Sequence, residues 1–361
     1  MQALQIHAGP AARARLAERG LRPEDVGLIP AAAGGPKGLI LNGLDRLLFG
    51  DWLPRAGHAV HLVGASIGAW RMATAALARE GGSDAAFAAM AEAYVTQRYD
   101  ILPGEKRPRP EAVSRRFGEI LAEHFAGHEN TVLSHPWLRL HVVTSRGRAP
   151  LLAREGRFST PLGYLGAFAA NALSRPLLGQ FLERVVFSDP RAHLPLALRD
   201  FRSREVHLSE RNLRAALLAS CSIPFWLQAQ HDLPGAPRGA YWDGGITDYH
   251  LHLDYRPLLQ QQAPLVLYPH FQRQVVPGWL DKALRHRHRS TRFLDNVVVL
   301  SPSPEWIATL PGAKLPDRND FLKLDETERQ RRWRIAVAES ARLADEFQAL
   351  TGQPSVQARP L

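Results

Sequence analysis

The stretch His58-Ala59-Val60-His61-Leu62-Val63-Gly64-Ala65-Ser66-Ile67-Gly68 decides how this chain is read. His58 to Val63 reads as a buried strand, and Ile67 to Arg79, rich in alanine, as a helix. Between them, Gly64-Ala65-Ser66-Ile67-Gly68 turns strand directly into helix with small residues around the serine. A turn that tight leaves no room for side chains at the flanking positions. The helix start that follows favours negative charge developing at the hydroxyl. In this setting G-x-S-x-G has the form of a nucleophile elbow, with a tight helix-packing turn as the plainer reading.

Working outward, Val26 to Ala33 is a second apolar run, ending at Gly34-Gly35-Pro36-Lys37-Gly38. Helical spacing follows through Leu39, Ile40, Leu44, Leu47 and Leu48. Strand, helix, strand, helix at these intervals predicts parallel βαβ units and an α/β sandwich. Downstream, residues 83–127 read as helical, broken by Pro103, Pro108 and Pro110, and residues 161–182 as an apolar helical insertion. Further strands are expected at 138–144, 183–188, 239–242, 264–268 and 297–300, and a helix at 213–220 leads into Ile223-Pro224-Phe225-Trp226. The C-terminal helix is the best marked. Asp325 with Glu328 resembles a capping box, Trp333, Val337, Ala341, Ala344, Phe347 and Leu350 form an apolar stripe, and Gly352 ends it.

Composition bounds the classes. The chain has 361 residues, 45% of them hydrophobic, and no apolar run long enough to span a bilayer. Cys221 is the only cysteine, which excludes an intrachain disulfide and a cysteine-rich zinc site. No Cys/His spacing indicates a metal, and no cofactor is expected. Without a basic, apolar leader at Met1 to His7, the expected location is cytoplasmic, with peripheral membrane contact allowed. The net charge of +10 is carried mainly by arginine, since lysine occurs only at 37, 106, 282, 314 and 323. Such a balance permits an anionic membrane, nucleic acid or an acidic substrate and selects none of them.

Two further segments carry chemistry. Consecutive amides at Gly34-Gly35-Pro36-Lys37-Gly38 can form an anion-binding nest at a helix start. Lys37 there opposes the helix dipole, as a residue placed for an acidic ligand or partner would. A Walker A loop would need Ser or Thr after Lys37, where Gly38 stands. A dinucleotide fingerprint would need glycine at Ala33 and an acid at the end of the second strand. The other segment is Trp242-Asp243-Gly244-Gly245, an aspartate held at a strand end by a glycine turn, which taken singly reads as an ordinary Asp-Gly turn.

Together, the glycine loop, the elbow and Asp243-Gly244-Gly245 resemble the patatin-like acyl hydrolases, whose pattern is Asp-Gly-Gly-Gly-x-Arg/Lys-Gly, Gly-x-Ser-x-Gly and Asp-Gly-Gly/Ala. Ala219-Ser220-Cys221-Ser222-Ile223-Pro224 is similar to the segment that often precedes the family's aspartate. Ala32 and Ala33 replace the family's Asp and first Gly, and Pro36 offers no N–H. The resemblance implies a three-layer sandwich with a mixed, mostly parallel central sheet and a C-terminal helical extension. It implies a catalytic domain at 26–250, with C-terminal strands and helix at 251–361 packed on it. It implies a lipid acyl-ester hydrolase of phospholipase A or lysophospholipase type with a Ser66–Asp243 dyad. Oxyanion or anion contacts would come from Gly34, Gly35, Lys37, Gly38 and Ile67, with Gly64, Gly68, Gly244 and Gly245 shaping the turns. The expected partners are the lipid substrate and an anionic membrane surface, not nucleic acid.

Three other readings remain, one of them an acyltransferase that uses the same acyl-enzyme with an alcohol acceptor in place of water. An α/β-hydrolase triad would recruit His250, His252, His270, His286 or His288, although only about two strands precede Ser66 where that fold normally has several. A non-enzymatic basic binder would use Arg285-His286-Arg287-His288-Arg289 and Arg292 on anionic membrane or nucleic acid. Cys221 reads as a small buried thiol. Trp226 and Trp242 are candidates to line an acyl pocket, and the apolar stretches 83–101 and 161–182 to frame it.

Overall fold

The computed structural model describes residues 1–78, 82–105 and 107–361; Arg79, at the end of the expected second helix, and Lys106 lie outside them. A mixed sheet of eleven strands runs through the molecule, with helices on both sides. The strands are β1 (Leu4–Ala8), β2 (Val26–Ala31), β3 (Val60–Ala65), β4 (Leu138–Gly147), β5 (Leu182–Ser188), β6 (Ser203–His207), β7 (Gln230–His231), β8 (Ala240–Asp243), β9 (Leu265–Pro269), β10 (Val297–Pro302) and β11 (Arg359–Pro360). Their order is β11-β1-β10-β9-β2-β3-β4-β5-β6, with β8 on β4 and β7 on β8. The five central strands β10, β9, β2, β3 and β4 are parallel. Every residue of β2, β9 and β10 is buried, as expected of parallel strands covered on both faces.

The register of β4 sets the position of the site. Its first part pairs with β3, ending at Ala65 against Val143. β4 runs on past β3, and the vacated edge is taken by β8, whose Asp243 pairs with Thr144. Ser66, next after β3, and Asp243, last in β8, therefore sit end to end along one edge of β4. Helix Ile67–Leu77 leaves the elbow with Ile67 to Ala76 all buried. Its alanines are strong helix formers and let it lie close to the sheet.

The turn after Asp243 is anchored by charge. Asp248 accepts from Arg184 Nε at 2.7 Å and Nη2 at 2.5 Å, while Arg184 Nη1 reaches Asp200 at 2.8 Å. Arg184 is fully buried, and Arg175 Nη2 adds a bond to Thr247 O at 2.8 Å.

The β2 run stops at Ala31 rather than Ala33, because the Ala33 amide turns to donate to Tyr249 O at 2.9 Å. Pro110 does not break a helix but opens one, Pro110–Phe125, at a position where its missing N–H costs nothing. The expected single C-terminal helix is two, Glu326–Glu339 and Ala341–Thr351. Between them Ser340 Oγ accepts from the Gly43 amide at 3.0 Å. Asp325 does cap the first, accepting from Glu328 N at 2.9 Å.

Arg184→Met would leave the Asp248 carboxylate buried with only Arg175 in reach, at 3.3 Å. The expected loss is about 3 kcal/mol or more. Urea unfolding reads it, and a loss below about 1 kcal/mol would show the anchor to be dispensable.

Candidate active site

Ser66 sits on strained backbone, φ 56° and ψ −128°, where a residue with a side chain needs strong local support. Part of that support is glycine on either side. A Cβ on Gly68 would stand 2.0 Å from Ala31 O, and one on Gly64 2.5 Å from the Ala69 backbone. The rest comes from Ser220, whose hydroxyl accepts from the Ser66 amide at 2.9 Å and donates to Val143 O at 2.7 Å. The same segment holds the aspartate: the Asp243 amide donates to Ser222 O at 2.9 Å and the Gly244 amide to Ser220 O at 3.1 Å. Residues 220–222 thus bind both strand ends. The sequence showed this segment only as a resemblance; its bridging role depends on long-range pairing that local spacing does not encode.

Ser66 Oγ donates to Asp243 Oδ2 at 2.7 Å, and the Gly245 amide donates to Oδ1 at 2.7 Å. Both side chains are nearly covered, Ser66 5% and Asp243 6% exposed. Burial pushes the Asp243 carboxyl up to about 6, against the Ser66 and Gly245 hydrogen bonds and the charges of Arg318 and Lys282, which hold it down. A carboxylate so placed accepts a proton far more readily than one in water, so the pair can exchange a proton near neutral pH. Cys221 borders Ser66, and its thiol is pushed well up by burial and by Asp243, which disfavours a thiolate.

The glycine loop opens the 3₁₀ helix Gly35–Leu41 beside the serine. The Gly34 and Gly35 amides belong to the turn of a helix start that lacks partners within the helix. Gly34 lies flat against Phe271, where a Cβ would meet the ring at 2.5 Å, and Gly35 has φ 57°. Lys37 Nζ lies 5.3 Å from the Phe271 ring centre. Gly38 turns the other way, onto the Ile67 side chain, and borders neither cavity described next. The Ile67 amide begins the elbow helix; the Ala69 and Trp70 amides return to Ser66 O.

Two cavities meet at Ser66, sharing Gly35, Ile223 and Arg318. One, about 1000 Å³, is lined mainly by Tyr94, Tyr99, Phe117, Trp226, Leu227 and Phe321. The other, about 860 Å³, holds Asp243, Lys37, Lys282, Tyr249 and Trp279. Stretch 83–101 therefore frames the apolar cavity, but 161–182 does not; the far wall comes from helix Pro110–Phe125 and residues 321–329. Trp226 lines it, whereas Trp242 is wholly buried, edge-on to Tyr164.

The histidines are committed elsewhere. Burial pushes His250 well below its ordinary range, with Nδ1 between Gln274 O and the Val276 amide. His252 bonds Val275 O and Thr291, His270 bonds the Gln272 backbone, and His288 bonds Asp281 O. His286 lies in an exposed turn. Ser66 faces a carboxylate, not an imidazole.

A model of the patatin-like phospholipase family matches residues 40–250, more than half of the chain. The chain belongs to that family. No curated protein matches it. At the level of the family, this patatin-like chain is a lipid acyl hydrolase. The matched span holds Ser66, Ser220 and Asp243 but begins after the 34–38 loop and ends before Lys282 and Arg318.

A buried carboxylate whose pKa lies near 6 instead of 3.8 costs the patatin-like fold on the order of 3 kcal/mol once ionised. The cost grows as pH rises from about 4 to 6 and is full above that. Asp243→Asn can keep both hydrogen bonds, Oδ1 accepting from Gly245 and Nδ2 donating to Ser66. It is expected to raise Tm at pH 8 and to leave it nearly unchanged at pH 4; a lower Tm at pH 8 would contradict this balance.

Proposed function

We propose that the protein hydrolyses acyl esters of lipids, of phospholipase A or lysophospholipase type, through a Ser66–Asp243 dyad. The observation that carries the reading is the 2.7 Å hydrogen bond from the buried Ser66 hydroxyl to Asp243. Ser66 Oγ bonds to the ester carbonyl carbon while its proton passes to Asp243 Oδ2. The carbonyl oxygen becomes an oxyanion facing the Gly34 and Gly35 amides and that of Ile67, with the positive charge of Lys37 nearby. Each such amide is worth about 3 kcal/mol in barrier. Collapse breaks the ester C–O bond, and the leaving alkoxide takes the proton from Asp243. Water then attacks the acyl carbon and gives its proton to Asp243. Ser66 oxygen leaves and recovers that proton, releasing the fatty acid.

The apolar cavity beside Ser66 supports a long acyl chain, and its aromatic lining supports lipid over short esters. Contact with an anionic membrane surface is supported by helix Ser159–Leu173, whose outer side leaves Leu162, Leu165 and Leu173 57%, 64% and 81% exposed. The basic tract abuts this helix, Arg287 Nη2 donating to Ala172 O at 3.2 Å. An apolar face next to cations suits a peripheral helix lying in the headgroup layer. Among the described residues no helix is long and apolar enough to cross a membrane. We assign catalysis to residues 26–250 and packing against that unit to 251–361, a cytoplasmic location and no nucleic-acid partner.

Hydrolysis of p-nitrophenyl esters of graded length tests the reading. Long-chain esters are expected to be preferred, and Ser66→Ala to lower kcat at least about a thousandfold. Because Asp243 must be ionised to accept the proton, kcat/KM is expected to rise with pH through about 6 and then level off. Preference for the acetyl ester would argue against a lipid, and a rising limb centred above 7 that follows a histidine would argue against the dyad.

A further inference from the structure

The cavity that does not suit an acyl chain has a charge pattern of its own. Lys37, Lys282 and Arg318 all border it, together with Ser66. Among the described residues none of the three side chains makes an ion pair or a hydrogen bond. Each is held by an aromatic ring instead: Lys37 by Phe271 at 5.3 Å, Lys282 by Tyr249 at 4.0 Å and Arg318 by Trp226 at 5.8 Å. The carboxylates facing the same space are Asp243, committed to Ser66 and Gly245, and Asp317, which pairs with Lys314 at 2.7 Å. Lys282, at the rim, is pulled down to about 8, first by loss of water on its inner side and then by repulsion from Lys37 and Arg318. Lys37 is lowered by burial, against the pull of Asp317. Asp317 and Asp243 act on Lys37 and Lys282 only through space, each carboxylate being bonded elsewhere, so an anion between the three cations would give them the direct partner they lack.

We infer that this cavity, resting on the acyl-hydrolase reading of Ser66, takes the anionic group of the substrate: a phosphate or carboxylate a few bonds from the ester, carrying net negative charge rather than a zwitterion. Arg318 borders both cavities, so it spans the junction where the ester must lie. The acyl chain then runs along Phe117 and Phe321, and the headgroup points to Lys37 and Lys282. A quaternary ammonium beyond the phosphate would meet this cluster with like charge, which selects against choline esters. Lys37, Lys282 and Arg318 all lie outside the span matched by the family model.

The test compares one acyl chain on three heads: 1-acylglycerol 3-phosphate, 1-acylglycerol and 1-acylglycerophosphocholine. In the wild type, kcat/KM for the phosphate monoester is expected to exceed both others by about tenfold or more. In Lys282→Met/Arg318→Met that preference is expected to fall below about threefold, with Lys282→Arg retaining it. The double variant is also expected to move the acidic limb of the pH profile upward, because both cations hold Asp243 down. A purely structural role would leave that limb in place. If the double variant does not fold, Lys282→Gln alone is expected to lower the preference, and an unchanged ratio overturns the proposal. Inorganic phosphate at millimolar concentration is expected to slow fluorophosphonate labelling of wild-type Ser66. If phosphate protects but the phosphorylated ester is no better a substrate than the neutral one, the site holds a free anion and the headgroup assignment is overturned. Equal turnover of all three esters, with Ser66 labelled, overturns the anion cavity while leaving the hydrolase reading intact. No labelling and no turnover of any ester overturns the hydrolase reading and the anion cavity with it.

Discussion

A carboxylate stripped of water and given a hydroxyl and one amide as its hydrogen-bond partners governs the rest of this structure. Ionised Asp243 is costly inside the fold, and among the described residues no guanidinium or ammonium bonds to it directly. An arginine in contact would lower its proton affinity and spoil it as a base. Instead burial raises it, and the Ser66 and Gly245 hydrogen bonds, with Arg318 and Lys282 adding through space, limit the rise to about 6 without cancelling it. On the proposed reading, the residual affinity for a proton is what the hydrolysis uses. The strained Ser66 backbone and the close glycine contacts are the structural costs of presenting the hydroxyl to that group.

The sheet makes the meeting possible. β4 is shared along its length, first by β3 and then by β8, so two strands distant in sequence end beside each other. Ser220, through its hydroxyl and its carbonyl, and Ser222, through its carbonyl, then lock the two ends, and Arg184 with Asp248 fixes the turn beyond. Loops after the parallel strands surround this point, where ligands bind in open α/β sheets. The chain beyond the matched family span adds what differs between the two cavities: Phe321 on the apolar side and Lys282 on the charged side, with Arg318 between.

Much of this was legible from local signals. The elbow, the parallel βαβ start, the Asp325 cap and the apolar strands β9 and β10 each follow from spacing over a few residues. The edge elements β6, β7 and β11 were not read, being short or partly exposed, and neither was β1, a buried strand paired with remote β10 and β11. The break at Ser340 was hidden because the apolar stripe continues across it; only the close approach of Gly43 requires it. Ser66 and Asp243 were named from motifs, and the structure puts them in contact. Lys282 and Arg318 carried no motif, since cations in irregular segments gain meaning only from what faces them. Trp242 was misread as pocket lining because strand alternation near a site does not say which face looks into it.

The most direct measurement is the position and rate of a single covalent label. Wild-type protein treated with a fluorophosphonate, digested and mapped by mass spectrometry should carry the adduct on Ser66 alone, with Asp243→Asn reacting at least about a hundredfold more slowly. An adduct on another residue, or an Asp243→Asn protein that reacts as fast as the wild type, would contradict the account.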